Sequence, residues 1–129
     1  MRDYTKIVAW QRADDLAVAV YCATNALPAH EVFSLTNQLR RAAYSVPANI
    51  VEGCSRPSNK DYLHFLHVAL GSLAETQYFI HLAERLGYLK ETQVTPLKSQ
   101  TKATFASLHG LIKAVKAQIP GPSRRPAVL

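Results

Sequence analysis

The stretch LTNQLRRAAYSVPANIVEGCSR, residues 35–56, decides the fold class. Leu35, Leu39, Ala42, Val46 and Ile50 recur every three or four residues, the repeat of one helix face. Ser34 reads as the N-cap and Gly53 as the C′ residue that ends the helix. Pro47 has no N–H to give the carbonyl of Ala43, so the helix is expected to bend there, with Ser45 or a water serving that carbonyl. A second row follows the same period. At about 100° per residue, Gln38, Arg41, Ser45, Asn49 and Glu52 fall within an arc of roughly 80°. This row flanks the apolar stripe instead of opposing it, so another helix or subunit would partly bury it. Buried polar groups need partners. An active site, a metal or phosphate cradle, and internal hydrogen-bonding glue are the three readings. The residues favour glue, with Ser72 and Glu75 on the next helix and Arg41 paired to Glu75 or Glu52.

Outward from this stretch the pattern stays helical, and no β-type alternation lasts long enough to compete. A first helix is expected from about Val8 to Ala26, with Trp10, Ala13, Leu16, Ala17, Val20, Tyr21 and Leu27 along one face. A third starts at the capping-box pair Ser58 and Asp61, runs through Tyr62, Phe65, Leu66, Ala69, Leu73, Thr76, Ile80, Ala83 and Leu86, and closes at Gly87. Gly71, in ALGS (69–72), costs about 1 kcal/mol in a helix relative to Ala, which close approach of another backbone would offset. A fourth begins between Glu91 and Pro96, with Leu97, Thr101, Phe105, Leu108, Ile112, Val115 and Ile119 inward. Short connections between four amphipathic helices predict an all-α, antiparallel up-down-up-down four-helix bundle. It is expected to span residues 1–119, followed by a flexible basic tail over 120–129.

Charge is distributed unevenly. Residues 1–91 hold nine Lys/Arg and nine Asp/Glu, so the net +6 of the chain lies wholly in the six cations after Glu91. On the fourth helix Lys98, Lys102, His109, Lys113 and Lys116 project within about 60° of one another over some 27 Å. With Arg124 and Arg125 in the tail they form a candidate nucleic-acid-binding face, suited to phosphates and blind to sequence. A solvated lysine face is the competing reading. Arg40, Arg56 and Lys60 offer a second basic patch. With 48% hydrophobic and 19% charged residues the chain is globular. No apolar run approaches the roughly 18 residues of a membrane span, and none follows Met1, so the expected location is cytoplasmic. Cys22 and Cys54 are expected to be free, buried thiols.

Signals for catalysis are weak. His64 and His67 share a helix face with Asp61 one turn before, but the Glu-x-x-His pairs of di-metal bundles are absent, so no metal or cofactor is expected. Ser45, Ser72 and Cys54 lie in no nucleophile elbow or phosphate-binding loop. Tyr62, Tyr78 and Phe79 read as core or interface rings before base-stacking ones. The expectation is a protein with no catalytic residues.

The stretch at 35–56, with FLHVALGSLAETQYFIHLAERLGYL at 65–89, resembles the four-helix-bundle family encoded in intervening sequences of bacterial large-subunit ribosomal RNA genes. VAWQRADDLA (8–17) and LHGLIKAVK (108–116) fit as well, so the resemblance covers nearly all of residues 7–117. It is carried by Gln38, Arg41, Asn49, Glu52, Gly53, Arg56, Gly71, Ser72 and Glu75. The resemblance implies a homopentamer and no defined reaction. A related branch comprises accessory proteins of the reverse transcriptases of diversity-generating retroelements, which makes RNA or DNA and a reverse transcriptase candidate partners by analogy. The alternative is a protein-interaction scaffold without nucleic-acid contact.

Overall fold

The computed structural model describes residues 2–121 of the 129-residue chain. Four α-helices dominate: α1 (Val8–Thr24), α2 (Leu35–Cys54), α3 (Asn59–Arg85) and α4 (Glu91–Gln118). Single 3-10 turns at Tyr4–Lys6 and Ala29–Glu31 precede α1 and α2, and no strand occurs among the described residues. Each helix packs on its neighbours in sequence, and α4 packs back on α1. Polar contacts join the helix ends. Arg40 Nε of α2 donates to Thr24 Oγ1 at the end of α1 (2.8 Å), and Asn59 Nδ2 reaches Gln118 Oε1 at the end of α4 (3.4 Å).

One core lies between the helices, and its largest fully buried side chains include Leu16, Leu39, Ile50, Leu66, Leu73, Ile80 and Leu108. Each such side chain contributes about 1.5–3 kcal/mol on leaving water. The inner face expected of α2 is buried throughout, from Leu35 to Ile50. Elsewhere the periodicity erred at the edges of its stripes. Tyr21 and Leu86 are exposed, and Trp10 and Phe105 are half-buried. Buried threonines bring hydroxyls into this core that must find partners. Thr24, Thr76, Thr101 and Thr104 donate to the carbonyls of Val20, Ser72, Leu97 and Gln100, one turn back.

Helix boundaries correct several expectations. α1 stops at Thr24, two residues early. Ser34 sits at the N-cap of α2, but its side chain caps nothing. Its hydroxyl donates to Glu31 Oε2 (2.7 Å), and it is that carboxylate oxygen which accepts the Leu35 N–H (3.2 Å). The Ser34 hydroxyl, the Leu35 amide and the Tyr88 hydroxyl together hold the Glu31 carboxyl below its ordinary pKa. The helix runs on through Pro47 to Cys54, and Asn49 Nδ2 donates to the carbonyl of Ser45 (2.7 Å). Ser58 Oγ accepts from the Asp61 N–H as the sequence led one to expect (3.1 Å).

Three glycines do three different things. Gly87 has φ +77°, and it ends α3. Its N–H bonds the Glu84 carbonyl (3.0 Å), while the Tyr88 N–H reaches back to Ala83 (2.9 Å), a Schellman closure. Gly53 does not end α2; it lies inside the helix and is buried. A Cβ there would stand 2.9 Å from Tyr62 Cδ1 and 3.1 Å from Phe65 Cβ, so its missing side chain lets α3 approach. Gly71 is the reverse, with nothing among the described residues within 4 Å of where its Cβ would be, so none of their backbone approaches it. Since an L-residue with a Cβ is strained in the left-handed region, Gly87→Ala is expected to cost about 1–2 kcal/mol. The check is the urea midpoint, with an unchanged m-value.

Candidate nucleic-acid interface

The cations that sequence spacing grouped on α4 share one exposed face. Lys98, Lys102, His109, Lys113 and Lys116 are all solvent-exposed along the helix. Lys98 Nζ is engaged with Glu84 Oε1 across the α3–α4 seam (2.9 Å). Lys102, Lys113 and Lys116 form no ion pair with any of the described residues. Unneutralised ammonium groups in a row are suited to displacing the counterions condensed on a phosphate backbone. Arg124 and Arg125, assigned to the same face, lie outside the described residues.

This face borders a depression between α3 and α4 of about 570 Å³. Ile80, Thr101 and Phe105 line it from the core side, while Tyr78, His81 and Lys102 edge it. Tyr78 is 56% exposed, so it is not a core ring of this chain. The Phe105 and His109 rings stack at 6.0 Å and 19°. A ring pair thus sits between lysines along α4. Sequence inspection found the cations but not the depression, because its walls come from residues some twenty positions apart on two helices.

The polar row of α2 is less connected than expected. Gln38, Arg41, Glu52 and Glu75 are exposed, and Ser45, Asn49 and Ser72 are half-buried. Arg41 forms no ion pair with Glu75 or Glu52 among the described residues; Glu52 is paired instead with Arg56, four residues on in its own chain. Arg56 lies just past the end of α2, within reach of Glu52. Asn49 and Thr76 bond carbonyls of their own helices, at Ser45 and Ser72. Among the described residues the row does not link α2 to α3 by hydrogen bonds.

A family model described as 23S rRNA-intervening sequence protein matches residues 5–110. The chain belongs to that family. A solved structure similar to it is a protein of unknown function from the S23 ribosomal protein family of Bacteroides thetaiotaomicron VPI-5482. The two are 25% identical with a TM-score of 0.73, over 82% of this chain and 99% of the other. No curated protein matches the chain.

The positions through which the sequence resembles intervening-sequence proteins separate in space. Gly53 holds the α2–α3 seam against Tyr62 and Phe65, and Arg56 lays its guanidinium 4.7 Å over the Phe65 ring. Gln38, Arg41, Gly71 and Glu75 stay open to solvent. The second basic patch comes apart. Arg40 turns toward α1, 4.7 Å over Tyr21, whereas Arg56 is joined by Arg2. Arg2 lies 4.2 Å over Tyr62, donates to the Arg56 carbonyl (2.9 Å) and bonds Asn59 Oδ1, pinning the N-terminal segment to the α2–α3 loop.

Reactive side chains of this intervening-sequence protein are placed as follows. Cys22 and Cys54 are free thiols, but Cys22 is exposed, contrary to expectation. Burial pushes the Cys54 thiol up, and burial also pushes up the Tyr62 phenol beside it. Both groups are neutral near pH 7. His64 and His67 are exposed, and among the described residues no three His, Cys, Asp or Glu side chains gather to hold a metal ion. None of the described helices is long and apolar enough to cross a membrane.

Proposed function

We propose that this intervening-sequence protein is a non-enzymatic, cytoplasmic, oligomeric helical bundle that binds RNA, or an RNA/DNA hybrid, through the basic face of α4. The reading takes the helices as an antiparallel up-down-up-down bundle over 1–119, consistent with the contacts joining successive helix ends, and the assembly as a homopentamer, as the family resemblance implies. A pentamer would repeat the face five times, so weak single contacts add up to firm attachment. The observation that carries the reading is the row Lys102, Lys113 and Lys116, exposed and without acidic partners among the described residues, in a stretch with no acid after Glu91.

Salt dependence tests it. Binding of a single-stranded RNA should weaken linearly in log–log form as salt rises, with a slope of about −0.7 per phosphate bound. Lys102→Glu with Lys113→Glu should make that slope shallower by about 0.7 for each phosphate no longer held, and reduce low-salt affinity about tenfold or more. Affinity indifferent to salt and to both substitutions would refute the α4 face.

A scaffold role has its own supporting observation. Val32, Phe33, Tyr78 and Leu86 are exposed apolar side chains, Phe33 at 93%. Such surface suits a protein partner. Recovery of a reverse transcriptase or another protein after nuclease treatment, with no RNA affinity, would favour this reading. Native mass measurement decides the oligomer.

A further inference from the structure

We infer that the α3–α4 depression accepts unpaired nucleotides, with the Tyr78–His81 pair as a stacking wall and Lys102 and Arg85 as phosphate ligands on its two sides. The inference rests on the proposed nucleic-acid reading and sharpens it from a charged surface to a single-strand site.

Tyr78 and His81 stand one turn apart on α3, with ring centroids 6.3 Å apart. They edge two depressions at once. The larger, about 570 Å³, opens toward Lys98 and Lys102 of α4. The smaller, about 320 Å³, opens toward Arg85, with Leu82 and Leu86 beside it. Each side of the wall therefore offers apolar surface with a cation at its edge. That combination matches a nucleotide, whose base has an apolar face and whose phosphate is an anion about one base away. Stacking on aromatic side chains contributes about 1–3 kcal/mol per base and tolerates any sequence.

The geometry argues against a duplex as the preferred occupant. A duplex presents phosphates outward and keeps its base faces covered, so it would use the lysines and leave Tyr78 and the half-buried Phe105 uncovered. Unpaired bases would cover both. Lys98 is held by Glu84 at 2.9 Å, which leaves Lys102 as the uncompensated cation at the larger depression. The Phe105–His109 stack then carries the ring surface along α4 toward Lys113.

The experiment is fluorescence-anisotropy titration of the full-length protein with an unstructured RNA of about twelve nucleotides and with the duplex of the same sequence. Wild-type protein should bind the single strand more tightly. Tyr78→Ala should weaken single-strand binding about fivefold or more, leave the salt slope unchanged and leave duplex affinity unchanged, whereas Tyr78→Phe should retain binding. Tyr78 is exposed, so its truncation should not unfold the chain, and circular dichroism verifies that. If Tyr78→Ala binds the single strand like wild type while the Lys102→Glu, Lys113→Glu variant is impaired, the stacking wall is wrong and the charged-face reading survives. If wild-type protein binds neither RNA at low salt, both are wrong.

Discussion

Gly53→Leu is expected to destabilise the chain by about 3 kcal/mol or more, even though leucine is a far better helix former than glycine. The local preference favours leucine by about 1 kcal/mol. Against it stands steric overlap at the α2–α3 seam. Even the first carbon would meet Tyr62 Cδ1 at 2.9 Å and the Tyr62 carbonyl oxygen at 3.2 Å. Backbone cannot swing aside as a flexible side chain can, so the helices would have to separate, and overpacking of this kind costs about 1–3 kcal/mol and sometimes more. For a domain whose whole stability is about 5–15 kcal/mol, that is a large share. Gly71→Ala is the matched control. Its added methyl meets nothing within 4 Å, so helix preference alone should act and stabilise by about 0.8–1 kcal/mol. Denaturant titrations of both variants measure the contrast. Equal signs would contradict the close approach at Gly53.

Leu108→Ala should cost about 2–5 kcal/mol, because a fully buried leucine on α4 would leave a cavity that its neighbours fill only in part. Its value lies in comparison with the charge variants. Lys102 and Lys113 are exposed on the outer side of the same helix, so their replacement should move stability by no more than about 0.5 kcal/mol. Under conditions where both proteins stay folded, Leu108→Ala should retain RNA affinity, and the lysine variant should lose it. Amide exchange along α4 should rise in the leucine variant only. A lysine variant as unstable as Leu108→Ala would mean that those side chains serve packing instead of a partner.

Sequence periodicity recovered the helices because each amphipathic stripe is a local property, readable from spacing alone. The α2 stripe shows this best, being buried throughout its length. The glycines show where local reading ends. Gly53 stands near a helix end, where the left-handed cap is the usual reason for glycine, but its actual reason is a ring nine residues later on another helix. Gly71 looked like a close-packing site, yet among the described residues nothing packs where its side chain would be. Arg41 is a similar case. Its row was identified, but the nearer partner of Glu52 lay four residues away at Arg56. The basic face was legible because its members share one helix. The depression beside it was not, since Tyr78 and Lys102 become neighbours only after α3 and α4 pack. Family membership, by contrast, rested on motifs contiguous in the chain.

The pattern of helix pairing has a kinetic consequence. Three of the four major interfaces join helices adjacent in sequence, and only α1–α4 joins distant ones. Most native pairings therefore form across short connections, the wiring associated with folding in microseconds to milliseconds. The entropy of closing a long loop falls mainly on one event, the docking of α4 against α1. A chain still emerging from synthesis would have α1, α2 and α3 available to pair in order, leaving that last docking for when α4 arrives.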